Sequence, residues 1–279
     1  MRYLNIGVKC DKIYAYSTER TSEMRILAIG DIVGLKTVDY LREKLWQFRK
    51  ENKIDFVVAN GENTNDIFGL GVDEAKALLD CGVDIITTGN HVWGRRDIYD
   101  FLDNSEEVIR PANYPSGSPG SGYTIANADG FKILCINVLG TVFMDSLASP
   151  FEAVDSILAR EEGNYDIALL DVHAEATSEK VAIGYYFDGR INAIFGTHTH
   201  VPTADEQILP MGSGYITDLG MTGPKDGILG VDKECVLYRF TTKMPKRYVV
   251  AQGDIEAQGV IFDIDPFAKK TLSVKRVKL

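Results

Sequence analysis

The sequence predicts an α/β fold with buried sheets, and two regularities support this prediction. Short, wholly apolar runs recur between residues 24 and 205, and several of them are separated by amphipathic stretches. Runs without polar alternation are typical of strands covered on both faces, and the helices between them supply that cover. The predicted strands are centred on Ile26–Ile29, Phe56–Ala59, Ile85–Thr88, Ile133–Val138, Ile167–Leu170 and Ile191–Phe195.

Two of the intervening stretches have the period of an α-helix. The first covers residues 35–52. Its Val38, Leu41 and Leu45 recur at intervals of three or four residues, which places them on one face of a helix. The second covers residues 71–82, where the same pattern recurs. Both stretches are therefore predicted to be helices that pack on a sheet.

The pattern changes after about residue 205, where short segments rich in β-branched and aromatic residues are separated by turns. Such segments are typical of antiparallel strands. The predicted strands of this part cover residues 214–220, 234–240, 246–253, 257–265 and 272–279.

No internal repeat, low-complexity tract or linker interrupts residues 24–279, so we expect a single domain there. Residues 1–23 differ, because they are polar and lack a sustained helix or strand period. We interpret them as an N-terminal extension: a disordered segment, a tag, or sequence upstream of a true start at Met24.

Composition limits the classes of function. The formal net charge of −10 over 279 residues disfavours stable nucleic-acid binding, which usually depends on a basic face. No apolar stretch approaches the roughly 18 residues that span a bilayer, and charges interrupt the N-terminal residues, so neither a membrane segment nor a secretory signal is expected. The four cysteines show no C-x-x-C spacing. A reduced, cytoplasmic setting is therefore predicted, and a homo-oligomer is compatible with the sequence.

Side chains able to bind metal follow five of the predicted strands, and they include all four histidines of the chain. In open α/β sheets the carboxyl ends of the strands form the edge at which ligands bind. Each residue taken alone has a common alternative as a turn, cap or surface residue, but five such coincidences at one edge are improbable. The set consists of Asp31, of Glu62 and Asn63, of Asn90 and His91, of His173, and of His198 and His200.

The donor types indicate which metals would suit such a site. Imidazole and carboxylate donors without thiolate favour Mn, Fe, Zn or Ni over a structural zinc clip. The donors are too many for one tetrahedral ion, but they suit two ions that share a bridging carboxylate. Two ions about 3.5–4 Å apart hold the attacking and leaving oxygens of an in-line displacement at phosphorus.

The motifs around these residues resemble those of the calcineurin-like metallophosphoesterases. GD, NGEN, GNH, a later H and GTHTH follow the order of that superfamily, which implies a four-layer α/β/β/α sandwich with antiparallel strands in its C-terminal part. The resemblance is closest to the YmdB-type phosphodiesterase branch and covers nearly all of residues 24–279. Three further stretches typical of this branch are present at Arg110–Asn113 (RPAN), His173–Lys180 (HAEATSEK) and Thr217–Pro224 (TDLGMTGP).

The sequence departs from the wider superfamily in three places. Val33 stands where a histidine of the first motif is usual, and Glu62 stands where a bridging aspartate is usual. The carboxylate that ordinarily follows GNH is missing, since Val92 and Trp93 occupy those positions. What orients His91 is therefore an open question.

The resemblance implies a specific set of metal ligands in two groups. One group is richer in oxygen donors, which favours a harder ion such as Fe(III) or Mn(II). Iron, manganese or both are therefore expected, with Mg, Zn and Ni as alternatives. One ion would be bound by Asp31, Glu62, Asn63 and His200, and the other by Glu62, Asn90, His173 and His198, so that Glu62 bridges them.

The implied reaction is hydrolysis of small phosphodiesters. A hydroxide that bridges the ions attacks phosphorus, and His91 protonates the leaving alkoxide as general acid. Two divalent ions, two carboxylates and the hydroxide leave about one positive charge in the pocket, which matches a phosphodiester. The resemblance implies 2′,3′-cyclic nucleotides as a substrate class. Two alternatives remain: a phosphomonoesterase or nucleotidase on the same dimetal core, and a regulatory protein that acts through a partner.

The residues themselves do not identify a base pocket. The aromatic run in residues 184–190 could stack on a base, but such a run is more often part of a core. Candidate phosphate contacts, each also explicable as a surface charge, are Arg95, Arg96, Arg110 and Arg190.

Overall fold

The computed structural model describes residues 23–65 and 68–279 of the chain. These residues contain fourteen strands and six α-helices. The predicted N-terminal extension lies outside these residues, apart from its last residue, Glu23. In chain order the strands are β1 Met24–Ile29, β2 Asp31–Ile32, β3 Phe56–Asn60, β4 Ile85–Thr87, β5 Tyr123–Ala128, β6 Phe131–Leu139, β7 Ile167–His173, β8 Ala193–Thr197, β9 Gln207–Ile208, β10 Gly214–Ile216, β11 Met221–Pro224, β12 Ile255–Glu256, β13 Gln258–Asp265 and β14 Lys270–Lys278. The helices are α1 Leu35–Asn52, α2 Val72–Asp80, α3 Ile98–Asn104, α4 Pro150–Arg160, α5 Thr177–Phe187 and α6 Lys233–Thr242.

The strands form two large sheets and one small one. The first large sheet has the order β14-β13-β1-β3-β4, the second has the order β5-β6-β7-β8-β10-β9, and the small sheet has the order β12-β11-β2. In the first large sheet β1, β3 and β4 run parallel to one another. In the second large sheet β6, β7, β8 and β10 run parallel to one another. The carboxyl ends of parallel neighbours lie at one edge of a sheet, and the polar residues singled out in the sequence follow these ends.

Side-chain alternation along the strands builds the layers. In β1, Ile26 and Ala28 face the second large sheet, where they share a core with Leu169 of β7. Leu27 and Ile29 point the other way and pack against α1 and α2. The outer face of the second sheet is covered by α4 and α5. The four-layer α/β/β/α sandwich that the sequence predicted is therefore confirmed.

The predicted elements before residue 205 are present. The six strands are β1, β3, β4, β6, β7 and β8, and the two helices are α1 and α2. Of the strands predicted after residue 205, β13 and β14 pair antiparallel. Strand β10 pairs antiparallel with β9 but parallel with β8, so it closes the parallel series of the second sheet.

The strand predicted at residues 234–240 is wrong, because this segment lies within helix α6. Asp232 caps the helix, since its side chain accepts a hydrogen bond of 3.1 Å from the backbone N–H of Cys235. The buried residues of α6 are Cys235 and Val236, and most of its aromatic and aliphatic side chains are exposed. The β-branched and aromatic composition therefore misled the prediction, because it reflects an exposed apolar surface and not a sheet.

The strand predicted at residues 246–253 is also wrong. Within the described residues this segment forms only an isolated bridge, between Val250 and Val231. Val250 and Tyr248 pack on the small core of α6, and this packing leaves the segment without a neighbouring strand.

The longest helix of the described residues, α1, has 18 residues and carries charges on its outer side. No helix in the described part of the chain has both the length and the apolar character that crossing a membrane requires.

Candidate metal centre

Glu62, His173 and His198 converge at the carboxyl ends of β3, β7 and β8. Each offers one oxygen or nitrogen atom, and these atoms lie within 4.8 Å of one another. Glu62 Oε1 lies 3.1 Å from His173 Nε2, which in turn lies 3.1 Å from His198 Nδ1. A compact, largely buried group of carboxylate and imidazole donors could hold a metal ion.

Asp31 and His200 adjoin this group on the side of β1. Asp31 Oδ1 lies 3.8 Å from His200 Nε2. Asp31 Oδ2 accepts a hydrogen bond of 3.0 Å from the backbone N–H of His198, whereas Oδ1 is buried and accepts none within the described residues. A buried carboxylate oxygen without a donor is costly, and a cation at this point would complement it. The residues on this side therefore also fit a metal ion.

Two asparagines contact the histidines through their side-chain amides. Asn90 Oδ1 lies 3.1 Å from His173 Nε2, so its oxygen is among the donors. Asn63 Nδ2 lies 3.2 Å from His200 Nε2, and its amide oxygen points to His91 Nδ1 at 3.0 Å. The structure thus brings all seven predicted ligands together, but the amide of Asn63 must turn over before its oxygen can face a metal.

Each histidine of the cluster has a second ring nitrogen held by a neighbour. Such partners fix the orientation of the ring and favour the tautomer whose other nitrogen is free to bind a metal. The sequence alone did not predict these partners. The pairs are His173 Nδ1 with Thr197 Oγ1 at 2.9 Å, His198 Nε2 with Glu175 Oε2 at 3.2 Å, and His200 Nδ1 with the carbonyl oxygen of Leu229 at 3.1 Å.

A buried polar network that the sequence alone did not predict lies behind His173. Three side chains donate hydrogen bonds to Asp171: Thr87 Oγ1 at 2.5 Å, Thr197 Oγ1 at 2.7 Å and Asn60 Nδ2 at 3.2 Å. Thr197 and Asn60 also contact His173 Nδ1, so the network fixes the imidazole ring. Asp171 precedes His173 by two positions on β7, and this spacing on one strand face was the available signal.

Burial and ion pairing have opposite effects on the pKa values of His173 and Glu62 in the cluster. Burial by itself would lower the pKa of His173, but the carboxylates of Glu62 and Asp31 outweigh it, and the pKa is raised to about 9. Burial would raise the pKa of Glu62, but His173 and His91 hold it well below its usual value. Burial and the neighbouring His173 lower the pKa of His198 to about 3. The ring of His173 is therefore a cation among carboxylates. A bound metal ion would supply this positive charge in its place.

The segment that carries His198 and His200 has a strained backbone. The φ angles of these residues are 97° and 64°, in the left-handed region that residues other than glycine rarely adopt. Such conformations cost about 1–3 kcal/mol each and persist only where the surrounding contacts enforce them. The loop after β8 therefore needs support from its neighbours.

A buried ion pair between Lys180 and Asp218 supplies this support. Lys180 Nζ lies 2.7 Å from Asp218 Oδ2 and donates a hydrogen bond of 2.7 Å to the carbonyl oxygen of Thr197. Asp218 Oδ2 accepts hydrogen bonds from the backbone N–H and the hydroxyl of Thr199, at 3.2 and 2.8 Å. The pair thus holds the residues on both sides of His198. These contacts give a role to the HAEATSEK and TDLGMTGP stretches, for which the sequence suggested none.

His91 lies beside the cluster with 30% of its side chain exposed. Its backbone N–H donates a hydrogen bond of 3.0 Å to Glu62 Oε2, and its Nδ1 lies 3.0 Å from Asn63 Oδ1. The ring also packs edge-on against Phe68, with centroids 4.7 Å apart. These contacts orient His91 in place of the carboxylate that the sequence lacks after GNH.

Three of the four arginines proposed as phosphate contacts have other partners. Arg190 pairs with Asp155 at 2.6 Å, at the end of the outer helix α5, and the aromatic run of residues 184–190 belongs to the same layer. Arg110 donates to backbone carbonyl groups, and Arg95 pairs with a neighbouring aspartate. Within the described residues none of these three guanidinium groups contacts the cluster.

Replacing Glu175 with glutamine is expected to weaken metal binding about tenfold or more, because the charged partner that raises the basicity of His198 is removed. Competition with a chelator, followed by metal analysis, measures this change. Glu162→Gln, at an exposed carboxylate in the loop between α4 and the amino end of β7, is the control. Equal metal retention by the two variants would show that Glu175 does not support the site.

The fold and the donor cluster together define the class of protein. The structure of a protein described as a 5′-nucleotidase, from Staphylococcus aureus, superposes with a TM-score of 0.58 at 14% sequence identity, covering 92% of this chain and 54% of that chain. The chain therefore has the fold of the calcineurin-like metallophosphoesterases, as the order of its motifs implied.

Two more similar proteins and a family model narrow the class. The chain is 45% identical over 254 residues to the 2′,3′-cyclic-nucleotide 2′-phosphodiesterase of Bacillus subtilis strain 168, covering 91% of this chain and 96% of that protein. A crystal structure described as a novel phosphatase from Mycoplasma pneumoniae matches with a TM-score of 0.87 at 31% identity, covering 92% of this chain and 93% of that chain. The model of the family described as YmdB-like protein matches residues 27–277. The chain belongs to the YmdB-like family, and it is a hydrolytic metallophosphoesterase.

Proposed function

We propose that this protein is a dimetal phosphodiesterase that hydrolyses small phosphodiesters, with 2′,3′-cyclic nucleotides as its substrate class. The observation that carries the proposal is the position of Glu62, whose Oε1 lies 3.1 Å from His173 Nε2 and 3.3 Å from Asn63 Nδ2. A buried carboxylate between two groups of donors is suited to bridge two ions. The name of the Bacillus subtilis relative, a 2′,3′-cyclic-nucleotide 2′-phosphodiesterase, supports the substrate class.

We assign the ligands to two groups that share Glu62. When bound, two divalent ions would supply Lewis acidity and lower the pKa of water, which provides a nucleophile near neutral pH. The group with more oxygen donors favours iron or manganese. One group is Asp31, Glu62, Asn63 and His200, and the other is Glu62, Asn90, His173 and His198.

The charges of the chain's own residues favour a diester over a monoester. Asp31 and Glu62 offset two of the four positive charges that two divalent ions bring. A hydroxide nucleophile offsets one more. The remaining charge of about +1 matches a phosphodiester, which carries one negative charge, better than a doubly charged monoester.

His91 serves in this proposal as the proton donor to the leaving alkoxide, because Asn63 holds its Nδ1 beside the ligands while 30% of its side chain stays exposed. His91→Ala is expected to lower kcat for a cyclic nucleotide by about 10²–10⁴-fold. A p-nitrophenolate leaving group departs without a proton, so the same variant should lose far less activity on bis(p-nitrophenyl) phosphate. Steady-state kinetics with both substrates measures the difference. Equal losses on both would contradict the role of proton donor.

One comparison tests the proposed function as a whole. Protein reconstituted with manganese or iron is assayed side by side against a 2′,3′-cyclic nucleotide, a generic diester and a generic monoester. The proposal expects the highest kcat/KM for the cyclic nucleotide and little turnover of the monoester. A preference for the monoester would favour the phosphatase alternative, which the description of the Mycoplasma pneumoniae structure suggests. A regulatory role would be favoured if a variant lacking the metal ligands still restored a deletion strain.

A further inference from the structure

Helix α6 and the segment after it are basic, although the chain as a whole is acidic. Residues 233–248 contain five lysine and arginine residues and a single acidic residue, Glu234, whereas the whole chain carries a net charge of −10. The basic residues of this segment are Lys233, Arg239, Lys243, Lys246 and Arg247.

A line of aromatic contacts joins this basic segment to the candidate metal centre. The ring of Phe68 lies 4.7 Å from the ring of His91, and 6.5 Å from the ring of Tyr248, between centroids. The guanidinium carbon of Arg239 lies 4.2 Å from the centroid of Tyr248. The contacts therefore lead without a break from His91 to α6.

The groups along this line are available to a ligand. Phe68 is 45% exposed, and Phe240 of α6 is 65% exposed. In the part of the chain that the structure describes, no carboxylate lies within ion-pair distance of Arg239, Lys243 or Lys246. We call Phe68, Tyr248, Arg239, Lys243 and Lys246 the basic–aromatic strip.

Positive charges interleaved with exposed aromatic rings are typical of surfaces that bind single-stranded nucleic acid. The cations contact the phosphates, and the rings stack on bases of any identity. The strip starts at the centre where the proposed function places a 2′,3′-cyclic phosphodiester. That group incorporates the 2′-oxygen of a ribose, and it can terminate an oligoribonucleotide as well as a mononucleotide.

We propose that the basic–aromatic strip binds the 3′-terminal nucleotides of a single-stranded RNA that ends in a 2′,3′-cyclic phosphate. This inference rests on the proposed function, and it extends the substrate class from nucleotides to RNA ends. Phe68 takes the terminal base beside His91, and Arg239, Lys243 and Lys246 take the phosphates that precede it. The net charge of the chain disfavours a general nucleic-acid binder, but the average conceals this local basic surface.

The kinetic test compares adenosine 2′,3′-cyclic phosphate with a tri-adenylate that ends in the same group. In 50 mM salt the wild-type protein is expected to show a kcat/KM about tenfold higher for the trinucleotide, equivalent to about 1.4 kcal/mol. The double substitution Lys243→Gln/Lys246→Gln should lower the trinucleotide-to-mononucleotide ratio of kcat/KM at least fivefold. Phe68→Leu should raise KM for both substrates, because stacking on a ring contributes about 1–3 kcal/mol per base.

The matched control is Lys269→Gln/Lys270→Gln, which removes the same charge at the opposite edge of the sandwich. Lys269 lies in the turn between β13 and β14 and Lys270 is the first residue of β14, near the end of β13 that pairs with the start of β1. The control should leave the ratio unchanged. A ratio near one for the wild-type protein, or equal ratios for the two double variants, would overturn the proposal.

A binding measurement separates this proposal from the proposed function. The probe is a labelled tri-adenylate whose 3′ end is a phosphomonoester, so that its end is not a substrate for diester hydrolysis. Fluorescence anisotropy with this probe reports the Kd for its binding to the strip without catalysis. The salt slope of log Kd should fall by about 1.4 in the Lys243→Gln/Lys246→Gln variant, or about 0.7 for each phosphate that a lysine no longer neutralises. If this decrease occurs in a protein that hydrolyses no cyclic nucleotide, RNA binding by the basic–aromatic strip is supported and the proposed function is contradicted. Binding that is independent of salt and of these lysines would contradict RNA binding by the basic–aromatic strip.

Discussion

Replacement of Glu62 by glutamine is expected to reduce diester hydrolysis by about a thousandfold or more, the largest loss of activity for any single ligand. Glutamine has nearly the same volume but no charge, and Glu62 belongs to both proposed ligand groups. A two-ion site stabilises the transition state by several kcal/mol, and about 4 kcal/mol corresponds to a thousandfold. The measurement is kcat/KM together with metal content by mass spectrometry, and both ions should be depleted.

The matched control for this substitution is Glu179→Gln. Glu179 is also buried, but its carboxylate accepts hydrogen bonds from the backbone N–H groups of Thr141 and Val142 and lies outside the donor cluster. The control should retain its metal. A Glu62→Gln protein that binds two ions and turns over at the wild-type rate would show that Glu62 is not a bridging ligand.

Replacement of Lys180 by methionine is expected to cost about 3–5 kcal/mol of the free energy of unfolding, because it leaves the carboxylate of Asp218 buried without its cation. Lys180 and Asp218 are each about 1% exposed, so water cannot replace the missing partner. The loop that carries His198 and His200 should relax at the same time, since the ion pair holds residues on both sides of His198. Urea unfolding of the metal-free protein measures the stability, and chelator competition measures the accompanying loss of metal affinity.

A surface ion pair between the residues just after helix α5 and helix α4 provides the control for Lys180. Arg190→Met breaks the pair with Asp155, whose members are 45% and 35% exposed, and it should cost about 1 kcal/mol or less. Similar losses of stability in the two variants would contradict the support that we assign to Lys180 and Asp218. A large loss of stability without any change in metal affinity would limit their role to the fold.

The fold was predictable for elements that bury one face, because the spacing of their apolar residues then follows the period of the helix or strand. Helix α1 spans the predicted residues 35–52, because its apolar residues face the core at helical intervals and Lys53 ends it in a left-handed conformation. Helix α6 could not be recognised in this way. Its exposed Leu237, Tyr238 and Phe240 have the composition of a strand, and the cap at Asp232 was the one contrary signal.

The site was predictable to the extent that it follows strand ends. Parallel strands gather their carboxyl ends at one edge, so the residues that follow them were expected to meet, and the structure brings them together. The groups that support the histidines were not predictable. Asp171 and Thr197 lie on neighbouring strands of the second sheet, and Asn60 reaches Asp171 only because the first sheet packs against the second; no local pattern encodes that contact.

The most direct test of the two-ion proposal is an anomalous difference map from a crystal soaked in manganese and measured near the manganese absorption edge. We expect two peaks about 3.5–4 Å apart with Glu62 between them. One peak should adjoin Asp31 and His200, and the other should adjoin His173 and His198. A single peak in fully loaded protein, or two peaks that do not share Glu62, would contradict the dinuclear centre.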